Sequence, residues 1–209
     1  MLEVIGYIAL IILVLLTFIV VYKIYIDSKK REGVYFKSCE EKELSVIDFK
    51  LDEDNVIYES NLNYAEGKFL ENFNYTSNDL IDMTYKIFKA LLLSRDEENI
   101  GVVRKFLSDD LYNKYKNQIL DNTVNNRKRI FKNIKLYKGI VEDFYNQNAD
   151  IVIYMSYSDY LIDTNTKEVI RGTKNEKLHV IRFRIVVNID SFLLIRKQKI
   201  FEKDLNDIL

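Results

Sequence analysis

The chain contains no proline and no tryptophan, and among its 209 residues there is one cysteine, Cys39, and one histidine, His179. A single Cys excludes an intrachain disulfide, and one Cys with one His excludes a Cys/His zinc centre or a Cys–His hydrolase. Without proline, turns fall to Asn, Asp and the six glycines. An excess of one charge is missing too: 31 Lys and Arg stand against 32 Asp and Glu, so no whole-molecule field draws in nucleic acid. Nucleic acid is not an expected partner. Phosphate-loop, Gly-x-Ser-x-Gly, His-Glu-x-x-His and paired-Cys patterns are all absent. The sequence therefore predicts no enzyme, no catalytic residue, no metal and no cofactor. What is present is 48% hydrophobic residues, with 15 Tyr and 12 Phe, enough for one packed domain plus a small further segment.

The longest apolar run is at the start. Val4 to Tyr22 reads VIGYIALIILVLLTFIVVY without a charge, and as a helix it extends roughly 28 Å, the thickness of a bilayer core. Glu3 precedes it, while Lys23, Lys29, Lys30 and Arg31 follow. Because cations flanking a span stay inside, the pattern predicts a single-pass anchor in the cell (inner) membrane, N-terminus outside, with the rest of the chain in the cytoplasm. The expected organisation is an anchor with its basic flank over 1–32, a linker and approach segment over 33–76, and a folded domain over 77–209.

Within that domain the apolar period is first helical. Leu80, Met83, Ile87 and Leu91 recur on one face, widened by Ile81, Phe88 and Leu92. SRDEEN interrupts, Ile100, Val103 and Leu107 form a short second helix, and Ser108 caps a third that turns Leu111, Tyr115 and Ile119 inward. Beyond Asn122 the period becomes two. Ile134 to Phe144 and Ile151 to Tyr157 form a hairpin about NQNA, and Leu178 to Ile189 form a further strand, with another strand available in LIRKQKIFEK. The order predicts an α+β domain with helices packed in a curved antiparallel sheet.

Two groups of side chains invite chemistry. Arg127, Lys128, Arg129, Lys132, Lys135 and Lys138 crowd into NNRKRIFKNIKLYK with Phe131 and Tyr137 between them. Such a tract is suited to anionic lipid or to a partner, with a solvated connector as the plainer reading. Asp159, Tyr160 and Asp163 place two carboxylates and a phenol near a strand end, a set able to move protons, although DTNT is also a turn in which Asp satisfies its own backbone. His179 reads as a core or edge residue before a base.

The stretch NFNYTSNDLIDMTYKIFKALLLSRDEENIGVVRKFLSDDLYNKYKNQI, continued by YSDYLIDTNTKEVIRGT, resembles the C-terminal domain of the mitochondrial import inner-membrane translocase subunit 44 family, in its bacterial membrane-anchored type. The passages that carry the resemblance are those around Arg95 and Asp96, from Leu107 to Tyr112, and through Asp159, Tyr160, Asp163 and Gly172. The family's Trp-bearing C-terminal strand is replaced here by VIRFRIVVN. The resemblance implies a cone like that of nuclear transport factor two, used to bind membranes or protein partners. The expected function is a non-catalytic, membrane-anchored binding or tethering module that engages a protein partner or anionic lipid. Two alternatives stand beside it: a secretion or conjugation subunit with an external cone domain, and a cone-fold enzyme using an Asp/Tyr pocket.

Overall fold

The computed structural model describes residues 55–189 and 191–204. In chain order they form β1 (Ile57–Ser60), α1 (Tyr64–Glu71), α2 (Ser77–Asp96), a 3-10 helix (Ile100–Phe106), α3 (Asp109–Val124), β2 (Arg127–Tyr145), β3 (Asn148–Asp163), β4 (Val169–Asn188) and β5 (Ser191–Asp204). The five strands make one sheet in sequential order. β1 runs parallel to β2, and the other neighbours are antiparallel, so the sheet is mixed.

The helices begin where the chain supplies acceptors for their free N–H groups. Thr76 caps α2 in a capping box with Asp79, Asn63 does the same for α1 with Glu66, and Ser108 caps α3. α2 buries Leu80, Ile81, Ile87, Phe88, Leu91 and Leu92 against the sheet. The Phe88 ring lies 4.9 Å from Phe183 and 6.4 Å from Tyr157, centroid to centroid. Removing Phe88 from water alone contributes about 2–3 kcal/mol. Gly139 of β2 lies beneath Ile81, and any Cβ there would overlap the isoleucine side chain. The helix-facing residues of the strands follow from period two: Ile151, Ile153 and Met155 of β3 stand opposite Phe183, Ile181 and His179 of β4. On the opposite face of the sheet Arg184 grips Asp150 through two bonds of 2.7 and 2.6 Å, and Arg182 likewise holds Glu142.

Several expectations are corrected. Among the described residues the strands outweigh the helices, and in place of the expected membrane helix followed by helices packed in a curved antiparallel sheet they form a mixed five-stranded sheet carrying few helices, none of them a membrane span. Part of the difference arises in the segment read as a linker: Ile57–Ser60 adds the parallel edge strand and Tyr64–Glu71 forms a helix. The rest arises at Arg127, where the basic tract is already strand. No helix of the described residues is long and apolar enough to cross a membrane. α2 has the length, at 20 residues, but Asp79, Asp82, Lys86 and Lys89 along it make it a surface helix with one buried face. The run from Val4 to Tyr22 and its flank Lys23, Lys29, Lys30 and Arg31 lie outside the described residues. The single span, the membrane as partner and the inner-membrane placement have no support among the described residues.

Candidate functional site

A strand advances roughly 3.3 Å per residue and a helix 1.5 Å. The 20 residues of β4 therefore reach much further than the 20 residues of α2, and the sheet continues past the end of its helical cover. Register shifts in β2 between Lys132 and Lys135 and between Leu136 and Lys138 bend it there. A cleft of about 290 Å³ opens between the sheet, the C-terminal end of α2 and α3, and it adjoins a second depression of about 370 Å³ that shares Arg129, Asp159, His179, Lys199 and Glu202.

Each side chain arrives in this cleft by register. Asp159 stands on the helix-facing side of β3, two residues beyond Tyr157, and Phe131 of β2 lies opposite it. Arg129, two residues before Phe131, shares that face and grips Asp159 with Nε at 2.7 Å and Nη2 at 2.6 Å. Lys197 and Lys199 of β5 pair with Phe183 and Ile181 across the ladder, so both project to the same side, and Glu202 pairs with His179. Five cations, Arg95, Lys114, Arg129, Lys197 and Lys199, line the cleft against two carboxylates, Asp159 and Glu202.

Both carboxylates are already engaged. Asp159 is taken by Arg129, and Glu202 by Lys199 and by Lys177 at 3.2 Å. Arg95, in the last turn of α2, is buried with only 7% of its surface exposed. Its guanidinium carbon lies 4.7 Å from the Tyr115 ring centre and 5.1 Å from that of Phe131, and Nη2 donates to Gln118 Oε1 at 3.1 Å. Among the described residues no carboxylate comes within ion-pair distance of it, nor of the Lys197 ammonium, which rests 4.2 Å over Phe88.

The proton affinities reflect this crowding. Burial, then the neighbouring Arg95, brings Lys197 down to about 7. Burial and the nearby Arg129 lower Arg95, whereas its hydrogen bonds to Asp159 raise Arg129. Burial raises Tyr115 and raises Tyr157 strongly, so both phenols stay protonated. His179, 3% exposed and stacked 3.8 Å from Tyr157, is lowered to about 3 by burial and by Lys199. Its imidazole is neutral. With Nε2–H donating to the Tyr157 carbonyl at 3.4 Å, Nδ1 has no hydrogen-bond partner. Glu202 lies 3.7 Å from Nδ1, beyond hydrogen-bond length and held by two lysines, so it does not protonate the ring.

The expected basic cluster is dispersed by the strand that carries it. Arg127 and Arg129 reach the two depressions, Lys128 pairs with Asp96 at 3.7 Å, and Lys138 pairs with Glu59 at 2.7 Å. Lys135 and Lys138 stand opposite Ser156 and Tyr154, on the face away from the helices, and Lys132 is exposed. Asp159 and Tyr160, adjacent in a strand, point to opposite faces and cannot act on one substrate. Asp163 accepts from the N–H groups of Asn165 and Thr166 at 2.7 and 3.0 Å, which makes it a turn residue. Gly172, at φ +84°, pairs with Tyr160, and a Cβ there would strike the Asp159 backbone carbonyl. Its place in the motif is explained by the backbone. The reading of sequence alone missed Lys197, Lys199 and Glu202 as site residues; the signal was a strand with cations at alternate positions, and only its register shows that they face inward.

No group of three or more metal-ligating side chains occurs among the described residues. No family model matches the chain, and no curated protein matches it. Among solved structures, the crystal structure of the intermembrane space region of the chloroplast protein ARC6 is similar over 57% of this chain and 95% of that one, at 10% identity and a TM-score of 0.45. That likeness carries no argument about function. The fold and the cleft thus define a sheet-dominated domain with a cation-rich depression at its open end.

Proposed function

We propose that the domain is a non-catalytic binding module that receives a negatively charged group in this cleft. One observation carries the reading: cations outnumber carboxylates there, and both carboxylates are already spoken for. Such a depression focuses field lines and raises the local concentration of anions even though the whole chain is close to neutral. The aromatic walls supplied by Tyr115, Phe131 and Tyr157 add apolar contact for the body of a ligand. The resemblance noted in the sequence, with its implied binding role, points the same way. The carboxylate, phenol and imidazole of the cleft serve proton transfer poorly: Asp159 is bound by Arg129, Tyr157 holds its proton, and His179 is neutral well below physiological pH.

The test is binding of the aromatic anion 8-anilinonaphthalene-1-sulfonate to the full chain, followed by fluorescence. Reversing two mouth charges together, Lys177→Glu with Lys199→Glu, is expected to weaken binding at least tenfold and to flatten its dependence on salt. Lys132→Glu, an exposed charge outside the cleft, is the control. Equal losses in both proteins would show that the cleft has no special part.

A further inference from the structure

We infer that the inner end of the cleft, between Arg95 and Lys197, is a subsite for the phosphate of a small phosphomonoester. The inference rests on the binding reading above and assigns the chemistry of the ligand.

Two cations face this end without a counter-charge. A guanidinium has five N–H donors, of which Arg95 places one on a protein acceptor, Gln118. The Lys197 ammonium has three donors, and among the described residues it has no hydrogen-bond acceptor or ion-pair partner and rests over the Phe88 ring. Arg95 is nine-tenths buried. Taking an unpaired cation out of water costs several kcal/mol in a protein interior, and a cation–π contact offsets only a part, on the order of 1–2 kcal/mol. The groups facing Lys197 do not supply the rest. Arg95 from α2, Arg129 from β2 and Lys199 from β5 are cations, His179 of β4 is neutral, and Asp159 from β3 is committed to Arg129. An anion is the missing component.

Its charge and size follow from the same residues. A carboxylate carries one negative charge and would neutralise one of the two cations. A phosphomonoester carries close to two near neutral pH and offers three acceptor oxygens, enough to take the fork of Arg95 and the ammonium of Lys197 together. The cleft, at about 290 Å³, falls at the small end of the range of small-molecule sites, roughly 300–1,000 Å³. Together with the adjoining depression it suits a compact ester.

Binding a dianion also restores the proton that Lys197 has partly lost at neutral pH, and this makes the subsite observable. The full chain is exposed briefly to acetic anhydride at pH 7.5, and acetylation of each lysine is quantified by peptide mass spectrometry. Lys197 is expected to react ahead of the exposed Lys132. Inorganic phosphate at 10 mM, as the probe, should slow Lys197 at least fivefold and leave Lys132 unchanged, while acetate at equal ionic strength should leave both lysines unchanged. Calorimetric titration of the same protein with inorganic phosphate gives a second measurement that needs no reagent access. It should show saturable binding with net proton uptake at pH 7.5, abolished in Arg95→Gln and largely kept in Arg95→Lys. Absence of calorimetric binding by phosphate, or protection of Lys132 equal to that of Lys197, overturns the assignment. If 8-anilinonaphthalene-1-sulfonate still binds in the charge-sensitive way described above, the phosphate subsite alone has failed; if neither anion binds, the cleft reading has failed with it.

Discussion

The helix-facing surface of the sheet has two parts built on the same strands. Under α2, Ile151, Ile153, Phe183 and Ile185 meet Leu80, Ile81, Phe88 and Leu91, all 0% exposed. Along β5 and toward the far ends of β2, β3 and β4 the sheet presents Arg129, Asp159, His179, Lys197 and Lys199. The first part is held by the removal of apolar surface from water and is indifferent to pH; the second keeps buried charge and is held only where each charge finds an answer. The contrast is the ground for placing the proposed binding site in the second part: a domain that needed only stability would have continued the apolar pattern along β5.

The largest expected effect lies in the apolar part. Phe88→Ala should lower stability by about 3–5 kcal/mol, because its aromatic neighbours Phe183 and Tyr157 cannot close the cavity. The midpoint of urea unfolding measures it, and a loss under about 1 kcal/mol would erase the contrast. Next comes Gly172→Val, expected to cost about 2–3 kcal/mol through positive φ and collision with the β3 backbone; the same denaturation assay decides.

In the charged part the sign should reverse. Lys197 is held at about 7 in the folded chain against an ordinary 10.5, so the unfolded chain binds more protons between those values and stability rises with pH across that window. Lys197→Met removes the cost of charging the amine and should stabilise the protein by about 1–2 kcal/mol at pH 6.5, with the gain shrinking toward pH 9. A destabilising result at pH 6.5 would mean that the ammonium is satisfied after all. A smaller change follows from His179, at about 3 against 6.5. The unfolded chain takes the proton first, so this residue's contribution is lost as pH falls from 6.5 toward 3. His179→Phe, which keeps the stack on Tyr157, should be more stable than the parent by about 1 kcal/mol at pH 5 and equal to it at pH 8. The smallest effect belongs to Lys132→Gln, which should stay within about 0.5 kcal/mol, since this exposed side chain belongs to neither part.

How far the sequence could be read depended on whether a signal was local. The apolar face of α2, the Ser108 cap and the hairpin from β2 to β3 are local patterns, and they stand in the structure where periodicity placed them. β1 escaped because four residues carry too little pattern, and its pairing partner lies some eighty residues away. The basic tract, read as suited to anionic lipid or a partner or as a solvated connector, is strand from Arg127 on, and a strand sends successive side chains to opposite sides. Arg129 and Asp159 were each noticed, but in separate groups, and their bidentate pairing became visible only through the β2–β3 register.

By itself the sequence determined what chemistry was excluded: with one Cys, one His and balanced charge, no arrangement of this chain makes an intrachain disulfide, a Cys/His zinc centre or a broadly cationic surface. It also determined which side of α2 is buried, since a helix carries its own period. Only the tertiary structure decided that Arg95, Lys197 and Lys199, distant along the chain, share one cleft with too few carboxylates. The physical reason is that period tells a side chain's face, whereas the company it keeps there is set by strand register and by how far the sheet outruns the helix that covers it.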